Sequence, residues 1–154
     1  MSYQAELKFA VDLAHQAGDI MRQYFQTDTI NTTWKSDNSP LTVADTTIND
    51  LVIEQVKAAF PAHGVIGEES SYETDRDFVW VVDPIDGTMP FSIGMPLSTF
   101  SLALVERTHG QPVVAVTYDP QQDQMYTATK GGGTRLQGSV VTASSQETLA
   151  QNYI

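Results

Sequence analysis

The sequence predicts an α+β fold in which two helices pack on a largely antiparallel sheet. Three observations carry that prediction. Up to Phe60, apolar residues recur twice at helical spacing. Beyond Pro96 the pattern changes to short strand-like runs separated by turn residues. Between them lies Phe78-Val79-Trp80-Val81-Val82, an apolar run without polar alternation, which reads as a strand buried on both faces.

The chain has 154 residues, enough for one domain with a core. Its net charge is −11, with a pI near 4.3. Such a surface repels nucleic acid and anionic membranes, and it repels a phosphate substrate unless cations intervene. Cysteine is absent, which excludes disulfides, thiolate zinc sites and a cysteine nucleophile. The start, Met1-Ser2-Tyr3-Gln4-Ala5-Glu6, lacks the pattern of a signal peptide, and no apolar run reaches membrane-spanning length. The expected location is the cytoplasm, with neither a nucleic-acid polymer nor a membrane as partner.

The first helix is expected over residues 3–26, with Ser2 as N-cap. Leu7, Ala10, Val11, Ala14, Ala17, Gly18, Met21 and Phe25 form its stripe, and the small residues Ala14, Ala17 and Gly18 predict close approach by another element. Alternation at Ile30, Thr32 and Trp34 predicts a short strand, followed by a loop over Lys35–Pro40. Thr42 opens the second helix, with Asp45 closing a capping box. Ile48, Leu51, Val52, Gln55, Ala59 and Phe60 carry its stripe, and Pro61 ends it. By local pattern alone, Asp45 needs no role beyond matching the helix dipole. Gly64–Gly67 reads as a short strand running into Glu68 and Glu69. Ser71–Asp77 reads as an exposed, mobile loop. Strands are expected over Leu97–Val105, Val113–Tyr118 and Met125–Thr129, joined as an antiparallel meander. The triplet Gly131-Gly132-Gly133 lacks the Lys-Ser/Thr ending of a phosphate loop and predicts a bend into a hairpin. His15, His63 and His109 have no metal-ligand spacing.

The chemistry concentrates at Asp83-Pro84-Ile85-Asp86-Gly87-Thr88. Pro84 cannot donate to a ladder, so the strand is expected to stop there. Asp83 and Asp86 can converge in a tight turn together with the Ile85 carbonyl, a hard-oxygen set of the kind that holds Mg²⁺. Gly87 permits close backbone approach, and Thr88 offers a hydroxyl and N–H groups able to open a short helix and accept a phosphate. Met89-Pro90-Phe91-Ser92 continues that helix. Two residues, Pro84 and Ile85, lie between the aspartates, which separates this turn from the haloacid-dehalogenase nucleophile, whose aspartates flank a single residue.

Ser39-Pro40-Leu41-Thr42-Val43-Ala44-Asp45, Gly67-Glu68-Glu69 and Asp83-Pro84-Ile85-Asp86-Gly87-Thr88 together resemble the inositol monophosphatase family, lithium-sensitive and magnesium-dependent sugar phosphatases. The resemblance runs from the first helix to near residue 145. It implies the first half of an αβαβα fold and hydrolysis of a small phosphate monoester, with inositol-1-phosphate the family default among sugar, alcohol and nucleotide phosphates. It implies Glu68, Asp83, Asp86 and the Ile85 carbonyl as metal ligands, with Glu69 holding a further, weaker ion. Two or three Mg²⁺ sites are implied in the complete fold, with Mn²⁺ or Ca²⁺ as substitutes in binding. Thr88 is implied to hydrogen-bond the attacking water, Asp45 to hold or deprotonate that hydroxyl, and Glu68 to share in catalysis through its metal. Gly87 and Thr88 are implied to bind the phosphate. A homodimer is suggested only by analogy with relatives, and the residues themselves leave the oligomeric state open.

Two departures follow. The family carries another metal-binding aspartate in a later Trp-Asp-x-Ala motif, but Trp34 and Trp80 are the only tryptophans here and neither precedes an aspartate. Residues 1–154 are therefore expected to be an N-terminal catalytic and metal-binding domain lacking the C-terminal α/β half. The competing reading is an isolated metal-binding domain without turnover. The second departure is Met89-Pro90, where many relatives have polar residues.

Overall fold

The computed structural model describes residues 3–26, 32–34 and 40–145. Its elements are α1 (Gln4–Tyr24), β1 (Thr32–Trp34), β2 (Pro40–Thr42), α2 (Val43–Ala59), β3 (Gly64–Gly67), β4 (Phe78–Asp86), α3 (Thr88–Ser92), β5 (Thr99–Glu106), β6 (Gln111–Asp119), β7 (Gln124–Thr129), β8 (Gly133–Leu136) and β9 (Ser139–Val141). The predicted α+β class holds, with α1 and α2 against one face of a seven-stranded sheet ordered β3-β4-β5-β6-β7-β8-β9. Strands β4 to β9 form an antiparallel meander, and β3 pairs parallel to β4. Strands β1 and β2 form a separate antiparallel pair. Among the described residues, no helix is long and apolar enough to cross a membrane.

Helix α1 buries Ala10, Leu13, Ala14, Ala17, Gly18 and Met21. Leu7, Val11 and Phe25 lie only partly buried at its margin, and Leu13, absent from the predicted stripe, replaces them at the centre. The close approach predicted from the small residues occurs at Gly18, where any side chain would overlap the Tyr118 ring of β6. The expected N-cap, Ser2, Ile30 of the first strand signal and most of the expected loop, 35–39, lie outside the described residues. Pro40 belongs to β2 rather than to that loop.

Helix α2 starts where its capping box predicts. Its buried side is Ala44, Asp45, Ile48, Asn49, Val52, Ile53 and Val56. The predicted stripe is thus rotated. Ala59 is exposed, and Leu51 and Gln55 are only partly covered, because the helix turns Ile53 and Val56 toward the sheet.

On β5 and β6 burial alternates. Phe100, Leu102, Leu104, Val114, Val116 and Tyr118 face the helices, while Ser101, Ala103, Ala115 and Thr117 lie on the far face. This corrects the expectation for β4. Trp80 and Val82 are buried, but Val81 lies in register with Ala103 and is 38% exposed, as Ile66 beside it is 41% exposed. At the start of β4 both faces are covered, Val79 being 1% and Trp80 0% exposed, and the far face opens from Val81 onward. Segment 71–77 is exposed as predicted, yet Tyr72 returns to bond Val65 through both backbone groups, at 2.7 and 2.8 Å. The Arg107 guanidinium donates to the Thr74 carbonyl at 2.8 Å. The glycine triplet forms the predicted bend into β8, and Gln137-Gly138, both with positive φ, make the two-residue turn into β9.

Candidate functional site

The parallel pairing of β3 and β4 builds the site. It places Gly67 opposite Val82, so the next residues, Glu68 and Asp83, leave the same end of the sheet side by side. An antiparallel pair would have sent them to opposite ends. Carboxyl ends of parallel strands are the usual place for ligands in open sheets.

Strand β4 does not stop at Pro84, contrary to the sequence expectation. Asp83 pairs with Ser101 and Asp86 with Thr99, so β4 holds one extra residue and bulges across Pro84-Ile85. The proline's missing N–H is accommodated in the bulge, after which pairing resumes. In a regular strand, residues three apart point to opposite faces. The bulge re-aims Asp86, and Asp83 feels its charge.

Asp83 is half-buried, and its carboxyl is pushed up to about 7, first by burial and then by the charges of Glu68 and Asp86. A hydrogen bond with Glu68 and the charge of Asp45 push in the same direction. Its Oδ1 is buried with no hydrogen-bond partner. Asp45, only 1% exposed, is also raised by burial, against hydrogen bonds from Thr42, with the charge of Glu69 adding to the rise. The Thr42 N–H reaches Asp45 Oδ2 at 2.8 Å and the Thr42 hydroxyl donates to the same oxygen. Asp45 Oδ1 is thereby left facing Thr88, whose hydroxyl lies 3.4 Å away and also donates to the Ile85 carbonyl at 2.9 Å.

Gly87 caps α3 in the left-handed conformation, φ +92°, and a Cβ there would stand 2.6 Å from the Leu97 carbonyl. Only glycine makes this turn without strain. The first N–H groups of α3 lack intrahelical acceptors by helix geometry. The side chains of Glu68, Asp83, Asp86, Asp45 and Thr88 and the Ile85 carbonyl thus gather in one neighbourhood, with Glu69 electrostatically linked to it through Asp45.

Among the described residues, no three acidic or imidazole groups already stand at ligating distance around one point. The donor set still fits a hard divalent cation. It is all oxygen, it contains an orphaned buried carboxylate oxygen, and neighbouring carboxylates add to the burial that raises Asp83 and Asp45, as in an uncompensated anionic cluster. The histidines take no part: His63 stacks on Phe60 and His109 lies 3.2 Å from Glu106. A cavity of about 240 Å³ between α1 and the Gly132-Gly133 bend contains none of the acidic residues.

One residue at the site escaped the sequence reading. Asn49 is completely buried on α2, four residues after Asp45, and bonds the Glu69-Ser70 backbone. Its signal was a polar side chain in the apolar stripe.

Helices on a meander sheet, with carboxylates gathered where two parallel strands end, define an α+β domain with an acidic, oxygen-donor site. A profile of the inositol monophosphatase family matches residues 2–154, and the chain belongs to that family. Inositol monophosphatase 1 of Solanum lycopersicum is 37% identical over 159 residues, covering 99% of this chain and 57% of its own. Nus factor SuhB of Escherichia coli is 34% identical over 146 residues, covering 93% and 54%. Among solved structures, the extragenic suppressor protein suhB of Bartonella henselae superposes with a TM-score of 0.86 at 27% identity, covering 93% of this chain and 56% of its own. The Thermotoga maritima IMPase gives 0.85 at 26%, covering 92% and 55%. The chain spans about half the length of the curated relatives it matches.

Proposed function

We propose that the full-length protein hydrolyses small phosphate monoesters with the help of Mg²⁺, a class that takes in inositol-1-phosphate and other sugar, alcohol and nucleotide phosphates. The observation that carries this reading is the gathering of Asp83, Glu68, Asp86 and the Asp45–Thr88 pair at one end of the β3–β4 pair. Glu68, Asp83, Asp86 and the Ile85 carbonyl would hold the principal ion, and Glu69 a weaker one, with Mn²⁺ or Ca²⁺ able to replace Mg²⁺ in binding. Such ions supply Lewis acidity and neutralise phosphoryl charge.

The remaining work falls to the chain. The Thr88 hydroxyl donates to the Ile85 carbonyl at 2.9 Å and stands 3.4 Å from Asp45 Oδ1; were its one proton turned to Asp45, the lone pairs of Thr88 Oγ1 would face an attacking water. Burial keeps Asp45 a better proton acceptor than an exposed aspartate, which suits a group that helps deprotonate that water. The Gly87 and Thr88 N–H groups, at the start of α3, receive phosphate oxygens. No side chain attacks phosphorus.

The test is phosphate release from a panel of sugar, alcohol and nucleotide monoesters, with and without Mg²⁺. No release by folded, metal-loaded protein ends the enzyme reading. A second reading, a Nus-factor role without turnover, draws support from the names of the bacterial relatives. Metal-dependent hydrolysis abolished by Asp86→Asn would exclude it as the sole function.

A further inference from the structure

We propose that Asn49 is a positioning residue that fixes the Glu68-Glu69-Ser70 turn and thereby sets the affinity of the site for its divalent cation. The inference rests on the proposed role of Glu68 and Glu69 as ligands, and extends it to a residue that touches no ion. Asn49 is 0% exposed, and α2 otherwise buries chiefly apolar side chains on that side. Its amide makes several contacts, all to one short turn. Nδ2 donates to the Ser70 carbonyl at 3.2 Å and to Ser70 Oγ at 2.7 Å. Oδ1 accepts the Glu69 N–H at 3.4 Å. The amide also fills the space beside Gly67, where a Cβ would overlap Asn49 Oδ1.

The base of the turn is closed by the Val65–Tyr72 backbone pair and by the Gly67 N–H donating to Ser71 Oγ at 3.3 Å, but Asn49 is what ties its glutamate segment to α2. The turn follows a four-residue strand at the sheet edge, and Glu68 and Ser70 are exposed. Asn49 supplies a buried anchor from a rigid element. Because Asn49 lies at i+4 from Asp45, the same face of α2 sets both the Asp45–Thr88 pair and the glutamate turn. Ligand carboxylates that repel one another need such an anchor, since loss of a supporting hydrogen bond typically weakens metal binding about 10- to 100-fold.

Calorimetric titration of Mg²⁺ and Mn²⁺ into the full-length protein tests this, alongside thermal melts in chelator. Asn49→Leu, close in volume, should weaken Mg²⁺ binding about tenfold or more. Ser70→Ala removes one exposed acceptor and leaves the fold intact. It should weaken binding about two- to threefold. A merely structural Asn49 would lower the chelator melt and leave the dissociation constant unchanged, and that result overturns the inference. If Asn49→Leu does not fold, an unchanged constant for Ser70→Ala overturns it. Absence of Mg²⁺ binding by the unmutated protein overturns the metal reading itself, a separate outcome.

Discussion

Asp83→Asn should change sign with metal. In metal-free protein at pH 8, Asp83 is ionised against the charges of Glu68 and Asp86 in a half-buried position. Its carboxyl stands at about 7 in the folded chain against 3.8 when unperturbed. Such a raised carboxyl contributes stability fully below pH 3.8 and loses it as pH rises through about 7. At face value the cost at pH 8 is about 4 kcal/mol. Water reaches the side chain, so screening leaves roughly 1–2 kcal/mol. Asparagine keeps the shape and removes the charge. In chelator at pH 8 the variant should therefore melt about 2–6 °C above the unmutated protein. The gap should narrow at pH 5, where Asp83 is already protonated in the folded state. Saturating Mg²⁺ should reverse the order. The unmutated protein gains about 3 kcal/mol at a hundredfold excess over its dissociation constant, and the variant gains little. Differential scanning fluorimetry at pH 5 and 8, with chelator or Mg²⁺, reads all four cases. A variant that melts lower in chelator at pH 8, or that gains as much from Mg²⁺, refutes the reasoning.

Asp86→Asn should cut phosphate release by the full-length protein more than about 100-fold, since a lost ligand forfeits several kcal/mol of transition-state stabilisation; unaltered kcat/KM would remove Asp86 from the site. Gly87→Ala meets both the positive φ and the Leu97 carbonyl, and should cost about 1–3 kcal/mol in urea unfolding. Gly18→Ala presses on the Tyr118 ring and should cost a similar amount, about 1–3 kcal/mol, whereas Gly110→Ala, with no neighbour within 4 Å, tests its positive φ of +59° alone. His63 is lowered by burial, so its contribution is present above pH 6.5 and fades as pH falls below it. His63→Phe should flatten the stability decline between pH 7 and 5, read by melts in chelator.

The sequence displayed the helices, the meander and the Asp83–Thr88 turn because each is a local pattern. The Thr42–Asp45 capping box and the bend at Gly131-Gly132-Gly133 are short-range chemistry, visible without tertiary context. The parallel partnership of β3 and β4 is not local. A ten-residue connection ordinarily signals an antiparallel return, and nothing in Glu68–Asp77 announces otherwise. The bulge at Pro84-Ile85 was hidden for a related reason. Proline reads as a stop, and only the partner strand β5 reveals that pairing resumes at Asp86. Val81 looked buried because apolar runs do not report which face lacks cover. Asn49 was passed over because one polar residue in a stripe is ordinary until its contacts are known. The role of Asp45 came from the family likeness, since capping chemistry already accounted for a carboxylate at that position.

The seat of α1 has a kinetic consequence. The helix is the first element of the chain, yet it docks on β6, with Arg22 Nη1 donating to the Pro120 carbonyl 2.9 Å away and 98 positions downstream. During synthesis α1 emerges early, meets α2 as that helix follows, and waits for the rest of its apolar partners until most of the meander has left the ribosome. At about 5–20 residues per second, that delay is on the order of 5–20 seconds. Chaperone dependence should therefore concentrate in this window, and trimming α1 should leave a sheet that forms but stays sticky.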